Sequence, residues 1–225
     1  MTTLADYFKI YRRRGFWRLI AEFRENLWFD LRRGVNTQTV FHRKSYNAGT
    51  DVSPKLSPYV PSFQSPVLNC FAHLTGDIKG RNFTFFDIGC GKGKVLILAA
   101  ESGLFKKIVG LEINLILAEI AEQNVCKLGM ADQIEVIGED AISYMRYAKR
   151  SVLFLYNPFD ENMFATFIQS LERTDIKEIY LVYFDPIFEY HLDQWREFYA
   201  TDWRDDSRRK LKIFHRYYGS LLSAE

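Results

Sequence analysis

Residues 83–94 read FTFFDIGCGKGK, and this stretch decides the fold. The apolar run over 83–88 is long enough for one buried strand. Gly89, Gly91 and Gly93 follow at alternate positions, and the apolar run after them predicts a buried helix. Glycine allows positive φ angles and a close approach of backbone N–H groups to a ligand, and a helix N-terminus adds partial positive charge. The stretch therefore predicts a strand, a ligand-binding glycine turn and a helix.

The spacing of these glycines distinguishes between ligands. A dinucleotide-binding turn reads G-x-G-x-x-G, whereas here the third glycine comes one residue early and Lys94 stands in its place. The string is also not the P-loop pattern G-x-x-x-x-G-K-[ST]. A tight turn without a ligand is the simpler alternative, but it needs fewer glycines.

The string DIGCGKG resembles motif I of class I S-adenosylmethionine-dependent methyltransferases, and the overall pattern resembles bacterial members of undefined substrate. The resemblance implies a glycine loop that passes under the methionine part of the cofactor, with an acidic residue holding its amino group. The residues that it assigns to the cofactor in this stretch are Asp87, Gly89, Cys90, Gly91 and Gly93.

Length and composition indicate one α/β domain with an extension. The chain has 225 residues, of which 48% are hydrophobic and 26% are charged, as in ordinary globular proteins. Its three cysteines lack the spacing of metal ligands, so no metal site and a reduced, cytoplasmic setting are expected. We expect neither a membrane span nor a signal peptide, because the apolar runs are short and charges lie near the N-terminus.

The N-terminal part is basic. Residues 1–50 carry ten Lys and Arg against four Asp and Glu, whereas residues 51–225 carry twenty against twenty-four. We therefore divide the chain into a basic amphipathic extension over 1–50 and a catalytic domain over 51–225. A helix is predicted over 3–33, and its apolar stripe consists of Leu4, Phe8, Phe16, Ile20, Phe23, Leu27 and Leu31.

The basic cluster at Arg12–Arg18 has three interpretations. It can be the solvated face of a helix packed on the catalytic domain, a contact with an anionic membrane surface, or a contact with nucleic-acid phosphates. Packing on a second copy is the alternative to packing on the catalytic domain, so a monomer and a homodimer are both consistent with the sequence.

A proline-rich connection over 34–66 leads into the catalytic domain. Its string Tyr59-Val60-Pro61-Ser62 resembles a feature of some seven-strand protein-lysine methyltransferases. In those enzymes the feature closes over the cofactor, which would make Tyr59 a cofactor-binding residue. A plain turn before the helix predicted over 65–74 is the alternative.

Short apolar strands alternate with helices through the rest of the chain, which predicts a doubly wound, mostly parallel sheet with helices on both faces. The last two predicted strands form an antiparallel pair. The resemblance identifies this arrangement with the class I methyltransferase fold, to which the N-terminal helix adds an extension. Asn114 and Asp160 are expected to cap helices. The strands are predicted at 107–111, 133–137, 151–156, 179–184, 198–203 and 210–218, and the helices at 115–128, 141–147, after residue 160 and at 187–192.

Acidic residues follow the second and third strands, at the edge where open α/β sheets bind ligands. Glu112 lies where a carboxylate can accept hydrogen bonds from both ribose hydroxyls. By the resemblance, Asp140 accepts from the adenine amino group, with Glu139 as the alternative. Ile113 and Ala141 would then line the adenine.

The fourth strand ends in Asn157-Pro158-Phe159. This string resembles the [Asp/Asn/Ser]-Pro-Pro-[Tyr/Phe/Trp] motif of amino-group methyltransferases, with one proline missing. The resemblance implies that Asn157 and the adjacent backbone bind the target nitrogen and that Phe159 stacks on the target. A strand end with a proline stop is the alternative, and the similar Asp185-Pro186 after the fifth strand is interpreted as a turn.

Together these features predict an S-adenosylmethionine-dependent methyltransferase acting on nitrogen, less favourably oxygen, of a protein side chain or small molecule. Such a reaction is an in-line displacement in which the protein supplies orientation, so the sequence requires no metal, and it identifies no catalytic base. A nucleic-acid methyltransferase and a non-catalytic cofactor-binding scaffold of the same fold are the alternatives.

Overall fold

The protein is described by a computed structural model covering residues 25, 27–38, 59–202 and 210–218. Most of the predicted N-terminal helix, the basic cluster and residues 39–58 of the proline-rich connection lie outside these ranges. The helices are α1 (Trp28–Arg33), α2 (Gln64–Ile78), α3 (Lys94–Glu101), α4 (Leu115–Lys127), α5 (Glu161–Leu171) and a 3-10 helix (Glu189–Leu192). The strands are β1 (Thr84–Ile88), β2 (Lys107–Leu111), β3 (Ile134–Ile137), β4 (Arg150–Leu155), β5 (Glu178–Phe184), β6 (Arg196–Asp202) and β7 (Lys210–Tyr217).

The seven strands form one sheet in the order β3-β2-β1-β4-β5-β7-β6. Strands β1 to β5 are parallel, and β7 runs antiparallel to both β5 and β6. The chain leaves β1 towards β2 and β3, and later returns to the other side of β1 with β4. This reversal brings the carboxyl ends of β1, β2 and β4 together at the topological switch point, where open α/β sheets bind ligands.

Apolar side chains cover both faces of the sheet. One cluster includes Phe71 of α2 and Leu96 of α3, and the other includes Phe164 and Phe167 of α5. The strands between them are buried on both faces, and β5 is buried over its whole length. The predicted doubly wound sheet with an antiparallel C-terminal strand pair is thus confirmed.

Two predicted helix caps are present. The side chain of Asn114 accepts hydrogen bonds from the N–H groups of Ile116 and Leu117 at the start of α4. Asp160 accepts from the N–H of Met163 at the start of α5. Each cap satisfies backbone donors that have no partner within the helix.

The helix predicted over 141–147 is wrong, because a turn takes its place. Asp140 Oδ1 accepts from the N–H of Ile142, 3.0 Å away, which favours a turn over a helix. Tyr144 and Tyr147 are both buried and pack against the ring of Phe86. The Tyr147 hydroxyl donates to the carbonyl of Ala141 at 3.2 Å, so this carbonyl is occupied by a side chain rather than by a helical N–H. The helix predicted over 187–192 is shorter in the structure, where a 3-10 helix spans Glu189–Leu192.

The N-terminal helix ends at Gly34, whose φ of 66° gives the left-handed conformation common after helices. Phe29 and Asp30 are its buried residues, whereas Leu31, predicted to lie on the apolar stripe, is 61% exposed. That assignment was wrong because the last turn is oriented by Phe29. Among the described helices, none has the length and apolar character that a membrane span requires.

Candidate functional site

A cavity opens at the carboxyl ends of β1, β2 and β4. Most residues that the sequence assigned to a cofactor line it: Tyr59, Asp87, Gly89, Cys90, Glu112, Ile113, Asp140 and Ala141. Pro158 and Phe159 also line it, as does Glu139. Gly91, Gly93 and Asn157 do not belong to the lining, so the topology gathers all but three of the predicted residues around one space.

The glycine loop is held against the end of β2 by its backbone. The N–H groups of Gly89 and Cys90 both donate to the carbonyl of Leu111, at 2.8 and 3.0 Å. Gly91 has a φ of 55°, and a β-carbon there would lie 2.2 Å from Cε2 of Tyr59. Glycine is thus required at residue 91 both by the backbone conformation and by the contact with the Tyr59 ring.

Glu112 joins the end of β2 to the glycine loop. Its Oε2 accepts from the N–H of Gly91 at 2.9 Å, and its Oε1 accepts from the N–H of Asn114 at 2.8 Å. These two bonds fix the carboxylate, and each oxygen keeps a further lone pair for a ligand. Burial raises the pKa of Glu112, and its backbone hydrogen bonds oppose that rise.

Asp87 is the second buried acid of the cavity. It is 3% exposed, and its pKa is raised well above the ordinary value by burial and, secondarily, by the charge of Glu112. Two carboxyl groups in one buried space favour a ligand that brings a positive charge or several hydrogen-bond donors.

The third strand ends in two acids with different surroundings. Asp140 Oδ1 is engaged with the N–H of Ile142, whereas Glu139 pairs with the guanidinium of Arg146 at 2.8 Å. Beside them Ala141 is buried and Ile113 is 40% exposed, so an apolar wall adjoins the acids. This part of the cavity combines a hydrogen-bond acceptor with a flat apolar surface.

The loop after β4 differs from expectation in the placement of Asn157. This residue has a φ of 43°, and its Nδ2 donates to the carbonyl of Asp185 at 2.7 Å. Because a carbonyl can only accept, this bond decides the orientation of the amide and leaves Oδ1 on the other side. Oδ1 is buried and has no hydrogen-bond partner among the described residues.

Pro158 and Phe159 are more firmly packed than an open loop would be. The Pro158 ring lies against the glycine loop, since a β-carbon at Gly89 would be 3.0 Å from Pro158 Cβ. Phe159 is 7% exposed and contacts Phe167 of α5, with 5.2 Å between ring centroids. Phe159 therefore forms a wall of the cavity with its position set by the core.

Comparison with models of known protein families gave no match, and comparison with curated protein sequences gave none. Among solved structures, an RNA methyltransferase from Salinibacter ruber in complex with S-adenosyl-L-homocysteine is similar, with a TM-score of 0.55, 19% identity, and coverage of 74% of this chain and 99% of that one. The yhhF protein from Escherichia coli, provisionally assigned as a methyltransferase, has a TM-score of 0.55, 18% identity, and coverage of 73% of this chain and 89% of that one. The N-methyltransferase NodS from Bradyrhizobium japonicum has a TM-score of 0.54, 11% identity, and coverage of 68% and 96%.

The chain has the class I methyltransferase fold. The strand order, the antiparallel β7 and the likeness to these structures agree on this point. Within the fold, the cavity occupies the switch point between β1 and β4.

Several residues of this methyltransferase-fold site were not predicted from the sequence. Lys94 lines the cavity although it is only 2% exposed, and its Nζ donates to the carbonyl of Glu25 at 2.6 Å. Tyr156 also lines the cavity and packs edge-on against Phe184. From the sequence alone, a lysine after a glycine turn is expected to be exposed to solvent. Its burial depends on the contact with Glu25, which is distant in the sequence. The described residues include no group of three or more His, Cys, Asp or Glu side chains that could hold a metal ion.

Proposed function

We propose that the protein is an S-adenosylmethionine-dependent methyltransferase that transfers a methyl group to an acceptor nitrogen. One observation carries the proposal: the carboxylate of Glu112 is fixed by the N–H groups of Gly91 and Asn114 and lines the cavity. A carboxylate held in this way is suited to accept hydrogen bonds from two vicinal hydroxyls, such as those of a ribose.

The other cavity residues fit the remaining parts of that cofactor. Asp87 suits the ammonium group of the methionine part, Asp140 suits the adenine amino group, and Ile113 with Ala141 suits the faces of the adenine ring. The similar structure with bound S-adenosyl-L-homocysteine supports this choice of cofactor. When bound, the cofactor supplies a methyl group on a sulfonium, and the chain contributes orientation.

The acceptor side of the proposal rests on Asn157. Its Oδ1 is a buried acceptor whose direction is set by the bond from Nδ2 to Asp185. Leaving such an atom unpaired is costly. Asn157 does not itself line the cavity, but Pro158 and Phe159 directly after it do, and a substrate donor bound against this loop would complete Oδ1. An amino or amide nitrogen carries donors of this kind, which favours nitrogen over oxygen as the methylated atom. We predict that a protein side chain or a small molecule carries the methylated nitrogen. The monomeric or dimeric state and the domain boundary at residue 50 are also predictions.

Calorimetric titration tests the cofactor. We expect S-adenosylmethionine and S-adenosylhomocysteine to bind and NAD to give no signal. Glu112→Ala should weaken binding by about 1–3 kcal/mol, because it leaves hydroxyl donors of the ligand unpaired. Glu135→Ala is the matched control, since that carboxylate on β3 pairs with Lys107 and lies outside the lining of the cavity.

Tight NAD binding without a response to S-adenosylmethionine would contradict the cofactor assignment. Transfer of a labelled methyl group into fractionated cell extract then tests turnover and separates the alternatives. Label in nucleic acid would establish the nucleic-acid methyltransferase, and cofactor binding without label in any fraction would favour the non-catalytic scaffold.

A further inference from the structure

Asp30 is a buried acid outside the cavity. It lies on α1 with 8% exposure, and both carboxylate oxygens are engaged. Oδ2 accepts from the N–H groups of Thr37 and Gln38 at 2.8 and 3.0 Å, and Oδ1 accepts from the Thr37 hydroxyl at 2.6 Å. A buried carboxylate is costly unless it is satisfied, so these bonds fold residues 37–38 firmly back onto α1.

The fixed Thr37 in turn holds Tyr59. Thr37 is fully buried, and its carbonyl accepts from the phenol of Tyr59 at 2.6 Å. The Tyr59 ring then lies on Gly91, so closely that no β-carbon fits there. Burial and the nearby charge of Asp30 raise the pKa of Tyr59, so the phenol stays protonated and able to donate.

A second connection ties the same segment to the glycine loop. Asn36 donates its N–H to Asn124 Oδ1 of α4 at 3.0 Å, and Asn124 Nδ2 donates back to the Asn36 carbonyl at 3.2 Å. The same Nδ2 lies 2.9 Å from the carbonyl of Lys92, inside the glycine loop. The segment formed by residues 29–38, called here the N-terminal segment, is therefore anchored to the loop by two separate routes.

We propose that the N-terminal segment is part of the cofactor site and that Asp30 is a positioning residue, acting through Thr37 to hold the Tyr59 ring over Gly91. The inference rests on the proposed function, because the cavity that Tyr59 lines is the one assigned to the cofactor. Asp30 itself does not touch the ligand. Its role is to hold the Tyr59 ring against Gly91, whose N–H donates to Glu112, in the orientation that the methionine part of the ligand meets.

Titration of the full chain with S-adenosylhomocysteine tests this chain of contacts. Tyr59→Phe keeps the ring but loses the bond to Thr37, and we expect affinity to fall about tenfold. Asp30→Ala should give a similar loss, whereas Asp30→Asn should restore most of the affinity, because an amide oxygen can still accept from the two N–H groups. The double variant Asp30→Ala/Tyr59→Phe should bind S-adenosylhomocysteine no more weakly than the single variant with the lower affinity. The two losses should not add, because both substitutions break the same series of contacts.

Arg216→Ala is the matched control. It breaks the ion pair of Arg216 on β7 with Glu172, at 2.7 Å, and this pair lies outside both the N-terminal segment and the lining of the cavity. Its affinity should equal that of the wild type. Melting temperatures of all variants separate loss of affinity from loss of folding.

Wild-type protein that does not bind S-adenosylhomocysteine overturns the proposed function and this inference together. Wild-type binding with unchanged affinity in Asp30→Ala overturns this inference alone, and so do additive losses in the double variant. If Asp30→Ala unfolds at the titration temperature, Tyr59→Phe decides: an unchanged affinity overturns the positioning role.

Discussion

At the scale of single residues, Gly91 is constrained twice. Its φ of 55° is unfavourable for any residue with a β-carbon, and the Tyr59 ring fills the space a β-carbon would take. Gly129 has a similar φ of 67° but no atom within 4 Å of its hypothetical β-carbon. Substitution at Gly129 therefore measures backbone strain alone, whereas substitution at Gly91 measures backbone strain together with the steric clash.

We predict that Gly129→Ala lowers the free energy of unfolding by about 1–2 kcal/mol, the cost of the left-handed conformation. Gly91→Ala should cost more and should also weaken cofactor binding, because either the ring or the loop has to move. Adding Tyr59→Ala should recover part of the stability lost in Gly91→Ala. Thermal and chemical denaturation measure this, and equal losses at the two glycines would contradict the clash.

Asn157 carries the prediction for the acceptor. Replacement by glycine removes Oδ1 without the strain that alanine would suffer at a φ of 43°. If Oδ1 orients the acceptor nitrogen, labelled-methyl transfer into cell extract should slow, because the activation barrier should rise by about 2.7–4 kcal/mol. This magnitude takes the loss of an oxyanion-hole donor as the analogy. Affinity for S-adenosylhomocysteine should stay at the wild-type value.

Asp185→Asn is the control for Asn157, since residue 185 also has a positive φ at a strand end and contributes only its carbonyl to the contact. It should keep full transfer. Normal turnover in Asn157→Gly would make Asn157 a strand terminator, and a parallel loss of cofactor affinity would move it to the cofactor pocket.

At the scale of elements, one buried ring supplies the apolar contact of α1 with the domain. Phe29 is 1% exposed and lies under the guanidinium of Arg33 and near Nζ of Lys94, whereas Leu31 on the same helix is largely exposed. Phe29→Ala should therefore cost about 3–5 kcal/mol of unfolding free energy, as buried aromatic truncations do. Leu31→Ala should change it by less than about 0.5 kcal/mol. Equal effects of both substitutions in urea denaturation would show that α1 does not pack as described.

At the scale of the whole molecule, the acids of the cavity link stability to pH. The pKa of Asp87 is raised in the folded protein, so the folded state holds this proton above the ordinary value of 3.8 while the unfolded state releases it. Stability of the ligand-free protein should therefore fall as pH rises from about 3.8 towards the raised pKa, and Asp87→Asn should escape this loss.

We expect Asp87→Asn to melt at a higher temperature than the wild type at neutral pH and to converge with it in acid. The variant should also bind S-adenosylmethionine more weakly, because it cannot offer a negative charge to the ammonium group. Asp132→Asn, at an exposed position, is the control and should change neither property. A wild type more stable than Asp87→Asn at neutral pH without ligand would contradict the assigned cost of burying this carboxyl.

Local patterns in the sequence predicted the strands, the helix caps and the turn that carries Gly89, Gly91 and Gly93. They succeeded because hydrophobic periodicity, capping and positive φ depend on neighbours within a few residues. The position of Glu112 at the switch point also followed, since parallel strands bring their carboxyl ends to one edge.

Only the tertiary structure decided the contacts between distant parts of the chain. It placed Asn157 against Asp185, 28 residues later, and buried Lys94 under a segment some seventy residues before it. It also showed a turn in place of the helix predicted over 141–147, where Asp140 accepts from the N–H of Ile142 and the Tyr147 hydroxyl donates to the carbonyl of Ala141. These outcomes depend on which surfaces meet after folding, and no local pattern of residues encodes that.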